Sequence, residues 1–259
     1  MKYLLLCSFT VYFILAIVPL GMTQDYIIHK GSGVKIYFTT NDEMFPESWR
    51  GGTINGKATS LKPSQYKRSK ELIMSALDKY PTELLKENLE EIYILDSLNF
   101  YGQNYGGTNS NYNVYVVNTG KENGYSDEYF EQLFHAEFSS ILLRIHSNDL
   151  FEAMWKSNNN SDFDYGQGGV DEIINGKAGT NYNDDYFKEG FLYQYAMSGM
   201  ENDFNSISKN LFCPNAKFWK EAYNYTKLKR KINSTIDFYH KLNVNFTKEY
   251  FKSFSKDSE

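Results

Sequence analysis

Phe130, Phe134, Phe138, Ile141 and Ile145 recur at spacings of three and four residues. That spacing places five large apolar side chains on one stripe of an α-helix, where 3.6 residues make a turn. A stripe of this length has to be covered by a second layer of structure. Ser126 precedes it as an N-cap, and Asp127 and Glu128 follow where the helix dipole favours negative charge. The same helix carries His135 and Glu137 within the run LFHAEFSSILLRIH, Leu133 to His146.

The text before this helix is strand-like. YIIH from Tyr26, VKIYF from Val34, IYIL from Ile92 and NVYVV from Asn113 are rich in β-branched and aromatic residues. Gly51-Gly52 and Asn55-Gly56 mark turns. Tyr66, Ile73, Leu77 and Tyr80 predict a helix that begins near Pro63 or Ser64 and stops at Pro81. A short helix then covers Glu83 to Asn88. YGQNYGGTNSNY joins the last two strands as a glycine- and asparagine-rich loop. After the long helix come further helical segments: Phe151 to Trp155, Tyr186 to Met197, Asn202 to Leu211, Pro214 to about Leu242, and a short one after Thr247. Residues 156–185 read as a long functional or mobile loop. With no internal repeat and no linker, the fold class is α+β, in one domain over 24–259.

Lys2 precedes an almost wholly apolar stretch from Tyr3 to Leu20, broken by Pro19 and Gly21. Gly21 and Thr23 suit the recognition positions before a cut at Gln24. Residues 1–23 therefore read as a signal peptide, and the mature chain as exported to the periplasm, the cell surface or the medium. An uncleaved anchor is the alternative, because this apolar run is just long enough to span a bilayer. Nothing after residue 23 is apolar for long enough to do so.

The 259 residues include 27 Lys and Arg against 32 Asp and Glu, a net charge of −5, which leaves no electrostatic footprint for nucleic acid. The two cysteines are Cys7 and Cys213, so the mature chain retains one and forms no intrachain disulfide. Aromatic content is 17%, with 22 Tyr and 19 Phe; such residues fill a core and also build peptide or glycan grooves.

A zinc peptidase helix carries two histidines at i and i+4 and a glutamate after the first, which polarises the bound water. With Glu137 as that glutamate, the ligand positions fall on Ala136 and Ser140, and neither is a strong zinc ligand. His135 is turned by about 100° from position 136, and His146 lies about 16 Å further along the axis.

The segments YGGTNSNYNVYVVN, YSDEYFEQLFHAEFSSIL, EGFLYQYAMSGMENDFNSISKNLF and KLNVNFTKEYF, in this order, resemble the zinc-binding metallopeptidase family of exported Bacteroidetes-type proteins. The resemblance covers about Ile92 to Phe251. It implies a zincin-like fold: a small twisted sheet packed on an active-site-type helix, followed by a mostly helical C-terminal half. His135, Glu137 and Phe138 match the family's helix pattern, whose metal-binding histidines fall on Ala136 and Ser140, with Leu143 a further candidate. Downstream, Gly190, Phe191, Tyr195, Ala196, Asp203 and Phe204 match, and the family's glutamate falls on Asn202, beside Glu201.

Three functions fit this residue set. The first is an exported, metallopeptidase-like protein with a degenerate zinc motif, needing no cofactor and acting in binding or scaffolding. The second is a working zinc metallopeptidase, with Glu137 as general base and His135 with Asp203, or Glu201 in its place, as ligands. The third is a cell-surface module for a glycan or peptide. YGGT at Tyr105–Thr108 reads either as the edge of a substrate cleft or as a plain hairpin loop. Asn159, Asn224, Asn233 and Asn245 open N-x-Ser/Thr matches that an Asn-rich chain produces by chance. KLKRK at Lys227–Lys231 reads as a solvated helix face.

Overall fold

Strands β4 (Glu91–Phe100) and β7 (Asn113–Val117) run parallel, with Ile92 beside Val114 and Ile94 beside Val116. Successive side chains alternate across a strand. Ile92, Ile94, Val114 and Val116 therefore enter the main core, while Tyr93, Leu95, Tyr115 and Val117 enter a smaller one on the opposite face. Burial on both faces explains why these strands read as unbroken apolar runs.

Around this pair the computed structural model, which describes residues 26–255 apart from 167, 169–171 and 173, completes a mixed sheet. The leader read over residues 1–23 lies outside the described residues. β1 (Tyr26–Ile28) pairs antiparallel with β2 (Lys35–Tyr37), and β2 runs parallel to β4. β3 (Lys57–Ser60) and β5 (Gln103–Asn104) pair antiparallel with β4. β6 (Gly107–Asn109) pairs antiparallel with β7 and ends the order β1-β2-β4-β7-β6. β5 and β6 lie where the sequence reads as loop, and β3 lies in a stretch where the sequence predicts no element. Pairing with their neighbours, rather than local propensity, makes them strands.

Helix α1 (Tyr66–Leu77), α2 (Thr82–Asn88) and α3 (Asp127–His146) follow the expected pattern. Ser126 caps α3 by accepting from Tyr129 N at 3.1 Å. Arg68 of α1 fixes the same end, donating to Asp127 Oδ1 and Asn118 Oδ1 at 2.8 Å each and to Tyr125 O at 2.5 Å. Phe130, Phe134, Phe138 and Ile141 are fully buried. Ile145 is 42% exposed, so the stripe ends a turn earlier than its spacing predicts.

The C-terminal half is helical: α4 (Asp149–Lys156), α5 (Asp184–Glu189), α6 (Met200–Phe212), α7 (Ala216–Lys220), α8 (Thr226–Leu242) and α9 (Lys248–Lys252). Two expected helices are shorter than read. The one predicted over Tyr186 to Met197 stops at Gly190, whose φ of +92° is a left-handed cap, and a 3-10 turn follows at Gln194–Ser198. A β-carbon on Gly190 would also lie 2.9 Å from Lys227 Cβ. The helix predicted from Pro214 to Leu242 is divided by a 3-10 turn at Ala222–Asn224 and by extended Tyr225, whose ring packs on Phe187. Within KLKRK, Lys231 is not solvated; it is fully buried. No helix of the described residues is long and apolar enough to cross a membrane.

Candidate functional site

A second face of α3, turned by about 110° from its core stripe, carries Tyr129, Leu133, Ala136, Glu137 and Ser140, again at helical spacing. These side chains form one wall of a cleft of about 630 Å³. β6 and the residues before it form the second wall, and Tyr193, Tyr195 and the first turns of α6 the third. The YGGT segment thus edges a cleft and contributes to the sheet's edge strand.

Glu137 stands between α3 and β6. Its Oε2 accepts from Asn109 Nδ2 at 2.8 Å, and Asn109 Oδ1 in turn accepts from Arg144. A β-carbon at position 107 would lie 2.9 Å from Glu137 Oε1, so glycine is what lets the strand pass the carboxyl. Burial pushes this carboxyl up to about 7; the charge of Glu201 adds to the rise, while the Asn109 bond, Lys209 and Arg144 oppose it. Glu137 therefore holds its proton to higher pH than an ordinary carboxyl. Tyr195 across the cleft is also pushed up, by burial first and by Glu137 next.

His135 does not reach this cleft. It is fully buried, with Nδ1 2.9 Å from Tyr80 Oη, Nε2 3.2 Å from Glu131 Oε1, and its ring stacked on Phe212 at 4.9 Å. The 100° offset along the helix turns it into the core, where burial pushes it down to about 4 against the pull of Glu131.

Asp203 is buried as well, and its Oδ2 accepts from Lys231 Nζ at 2.6 Å, Tyr165 Oη at 2.7 Å and Trp155 Nε1 at 3.0 Å. Burial raises the Asp203 carboxyl and lowers the Lys231 ammonium, and their mutual attraction opposes both shifts. Glu201, by contrast, is exposed and lines the cleft with Glu137. The structure thus brings together Glu137 and Glu201 and separates both from His135 and Asp203. Among the described residues, no three His, Cys, Asp or Glu side chains converge as metal ligands.

Ala136, Ser140 and Asn202 all line the cleft. Ser140 Oγ accepts from Asn205 Nδ2 at 2.6 Å, and Asn202 Nδ2 donates to Ser198 Oγ at 2.7 Å. Leu143 packs in the main core instead. Asn109 and Asn205 carry much of the cleft's hydrogen bonding and had no sequence signal, because asparagine is common throughout the chain. Gly107 was signalled by its doublet with Gly106.

No protein-family model matches this chain, and no curated protein matches it. Among solved structures it is similar to a protein from Bacteroides caccae described as a putative zinc-binding metallo-peptidase, with a TM-score of 0.48, 15% identity, and coverage of 73% of this chain and 72% of that chain.

Proposed function

We propose that this is an exported, metallopeptidase-like protein whose zinc site has degenerated and whose cleft binds an extended polypeptide. In this reading residues 1–23 are a cleaved leader and 24–259 form one zincin-like domain. The carrying observation is that positions 136, 140 and 202 line the same cleft as Glu137. The resemblance puts the family's metal-binding histidines at 136 and 140 and its downstream glutamate at 202, and here these are Ala, Ser and Asn. Ser140 Oγ accepts from Asn205 and the Asn202 amide nitrogen donates to Ser198, so both side chains take part in bonds within the protein.

Peptide is favoured as the occupant by the open edge of β6. Val117 N donates to Gly106 O and Ser110 N to Asn113 O, so residues 106, 108 and 110 face β7. Alternation then turns the backbone groups of Gly107 and Asn109 away from the sheet, where an added strand can pair with them. Glu137, its carboxyl raised by burial, would accept or donate a hydrogen bond at that strand.

Two measurements test this. Metal analysis of the purified chain after dialysis against zinc is expected to give sub-stoichiometric metal; stoichiometric, tightly held zinc overturns the degenerate-site reading. Addition of a library of short unstructured peptides is expected to slow amide exchange at Gly107 and Asn109. Unchanged exchange there, with peptide bound, removes the edge strand from the proposal.

A further inference from the structure

Charge is distributed unevenly along the chain. From Lys217 to Lys252 there are nine Lys and Arg against three Asp and Glu, in a protein whose net charge is −5. Part of that excess gathers around two rings. Trp219 of α7 and Tyr223 of the following turn lie 5.5 Å apart, centroid to centroid. Lys248 Nζ stands 4.3 Å from the Tyr223 ring and donates to its hydroxyl at 2.6 Å. Lys229 stands 5.2 Å from the same ring, and Lys252 stands 5.7 Å from Trp219. Among the described residues, none of these three lysines has a carboxylate within ion-pair distance, unlike Lys217, Lys227 and Lys231. The ring faces hold the ammonium groups in place, which lowers the entropy a ligand would have to remove on binding them.

We propose that this face binds an acidic polysaccharide, with Lys229, Lys248 and Lys252 contacting its carboxylate or sulfate groups. Exposed amides in the same segment favour that class of polyanion. Asn224, Asn233 and Asn245 of the same segment are exposed, and Asn233 Oδ1 accepts from Tyr223 Oη at 3.1 Å. Primary amides donate and accept, and so match sugar hydroxyls. An anionic membrane would call for an apolar wedge, and Val244 alone exposes a large apolar side chain among the described residues after Cys213. Nucleic acid would call for free ring faces on which bases stack, and the lysines stand over these rings.

The test is equilibrium binding of the full chain to heparin and polygalacturonate, with neutral dextran, phosphatidylglycerol vesicles and a DNA duplex as competitors for the assignment. The wild-type chain is expected to bind both acidic polysaccharides in a salt-sensitive manner and to ignore dextran. Three screened surface contacts together amount to about tenfold in affinity. The triple variant K229Q/K248Q/K252Q should therefore bind at least about tenfold more weakly. K229R/K248R/K252R should retain binding, which separates lost charge from a damaged fold, and K67Q/K70Q/K86Q on α1 and α2 should bind as the wild type does. No wild-type binding, equal losses in the α1–α2 variant, or tighter binding to vesicles or DNA than to either polysaccharide overturns the proposal.

Discussion

Asn205 Nδ2 donates to Ser140 Oγ at 2.6 Å, while Asn205 Oδ1 accepts from Ser139 Oγ at the same distance. One amide of α6 thereby clasps two consecutive hydroxyls of α3 at the floor of the cleft. Ser140 Oγ thus helps hold two helices together, so a histidine introduced at 140 would have to displace Asn205.

Loss of the clasp should be measurable as stability. Asn205→Ala leaves two buried hydroxyls short of a partner, although Ser139 also donates to Ala136 O. The expected destabilisation is about 1–3 kcal/mol, read from the urea midpoint. An unchanged midpoint would show that the clasp contributes nothing to folding.

Glu137 is the residue at which the cleft opposes stability. Its folded-state value of about 7 lies above the ordinary 4.5 because burial disfavours the charged form. A raised carboxyl contributes stability that is fully present below pH 4.5 and is lost as pH rises through 7. Glu137→Gln removes that loss. The variant should be more stable than the wild type by about 1–3 kcal/mol at pH 8 and nearly equal to it at pH 4.5, as followed by chemical denaturation at both values. A variant less stable at pH 8 would mean that the Asn109 bond outweighs desolvation.

The features legible in the sequence are those fixed locally or by two-sided burial. The cap and stripe of α3 are written within a few turns, and the apolar runs of β4 and β7 follow from having a core on each face. β6 is different: Gly-Thr-Asn has no strand signal, and register with Val114–Val116 creates the edge that borders the cleft. Helical counting correctly placed His135 off the line of positions 136 and 140. What it could not supply was Tyr80, 55 residues earlier, as the partner waiting in the core. Lys231 reads as one more charge in KLKRK because its partner Asp203 is 28 residues away.

His135 sets an acid limit of its own. Its folded-state value of about 4 lies below the ordinary 6.5, burial being the main cause. Between those values the unfolded chain takes up a proton that the native chain refuses, so stability falls as pH drops from 6.5 to 4, by up to about 3 kcal/mol. Glu131 extends the loss. Burial raises its carboxyl, but the bonds to His135 and Lys79 prevail and hold it at about 2, so its contribution disappears between pH 4.5 and 2. His135→Gln should flatten the first window while lowering stability at pH 7 through the lost Tyr80 and Glu131 bonds. A slope between pH 6.5 and 4 identical to that of the wild type would assign the acid sensitivity to other groups.

The Asp203–Lys231 pair ties the helical half together. Through Oδ2 of one carboxylate, Trp155 of α4, Tyr165 of the long loop, α6 and α8 meet at one point, and Lys231 also donates to Gly190 O at 2.9 Å. Both side chains are fully excluded from solvent, and the Lys231 ammonium lies 3.8 Å from the Phe191 ring. Removing one partner strands a buried charge, so Asp203→Asn and Lys231→Met should each destabilise by about 3–5 kcal/mol. Removing both charges relieves much of that penalty, because a buried pair gains little over an apolar replacement of similar volume. The double variant D203N/K231M is therefore expected to be more stable than either single one. Denaturant unfolding of the four proteins gives the coupling energy directly. If the two losses simply add, the pair does not act as a unit and the clustering of Trp155, Tyr165 and Gly190 around it holds the helices independently.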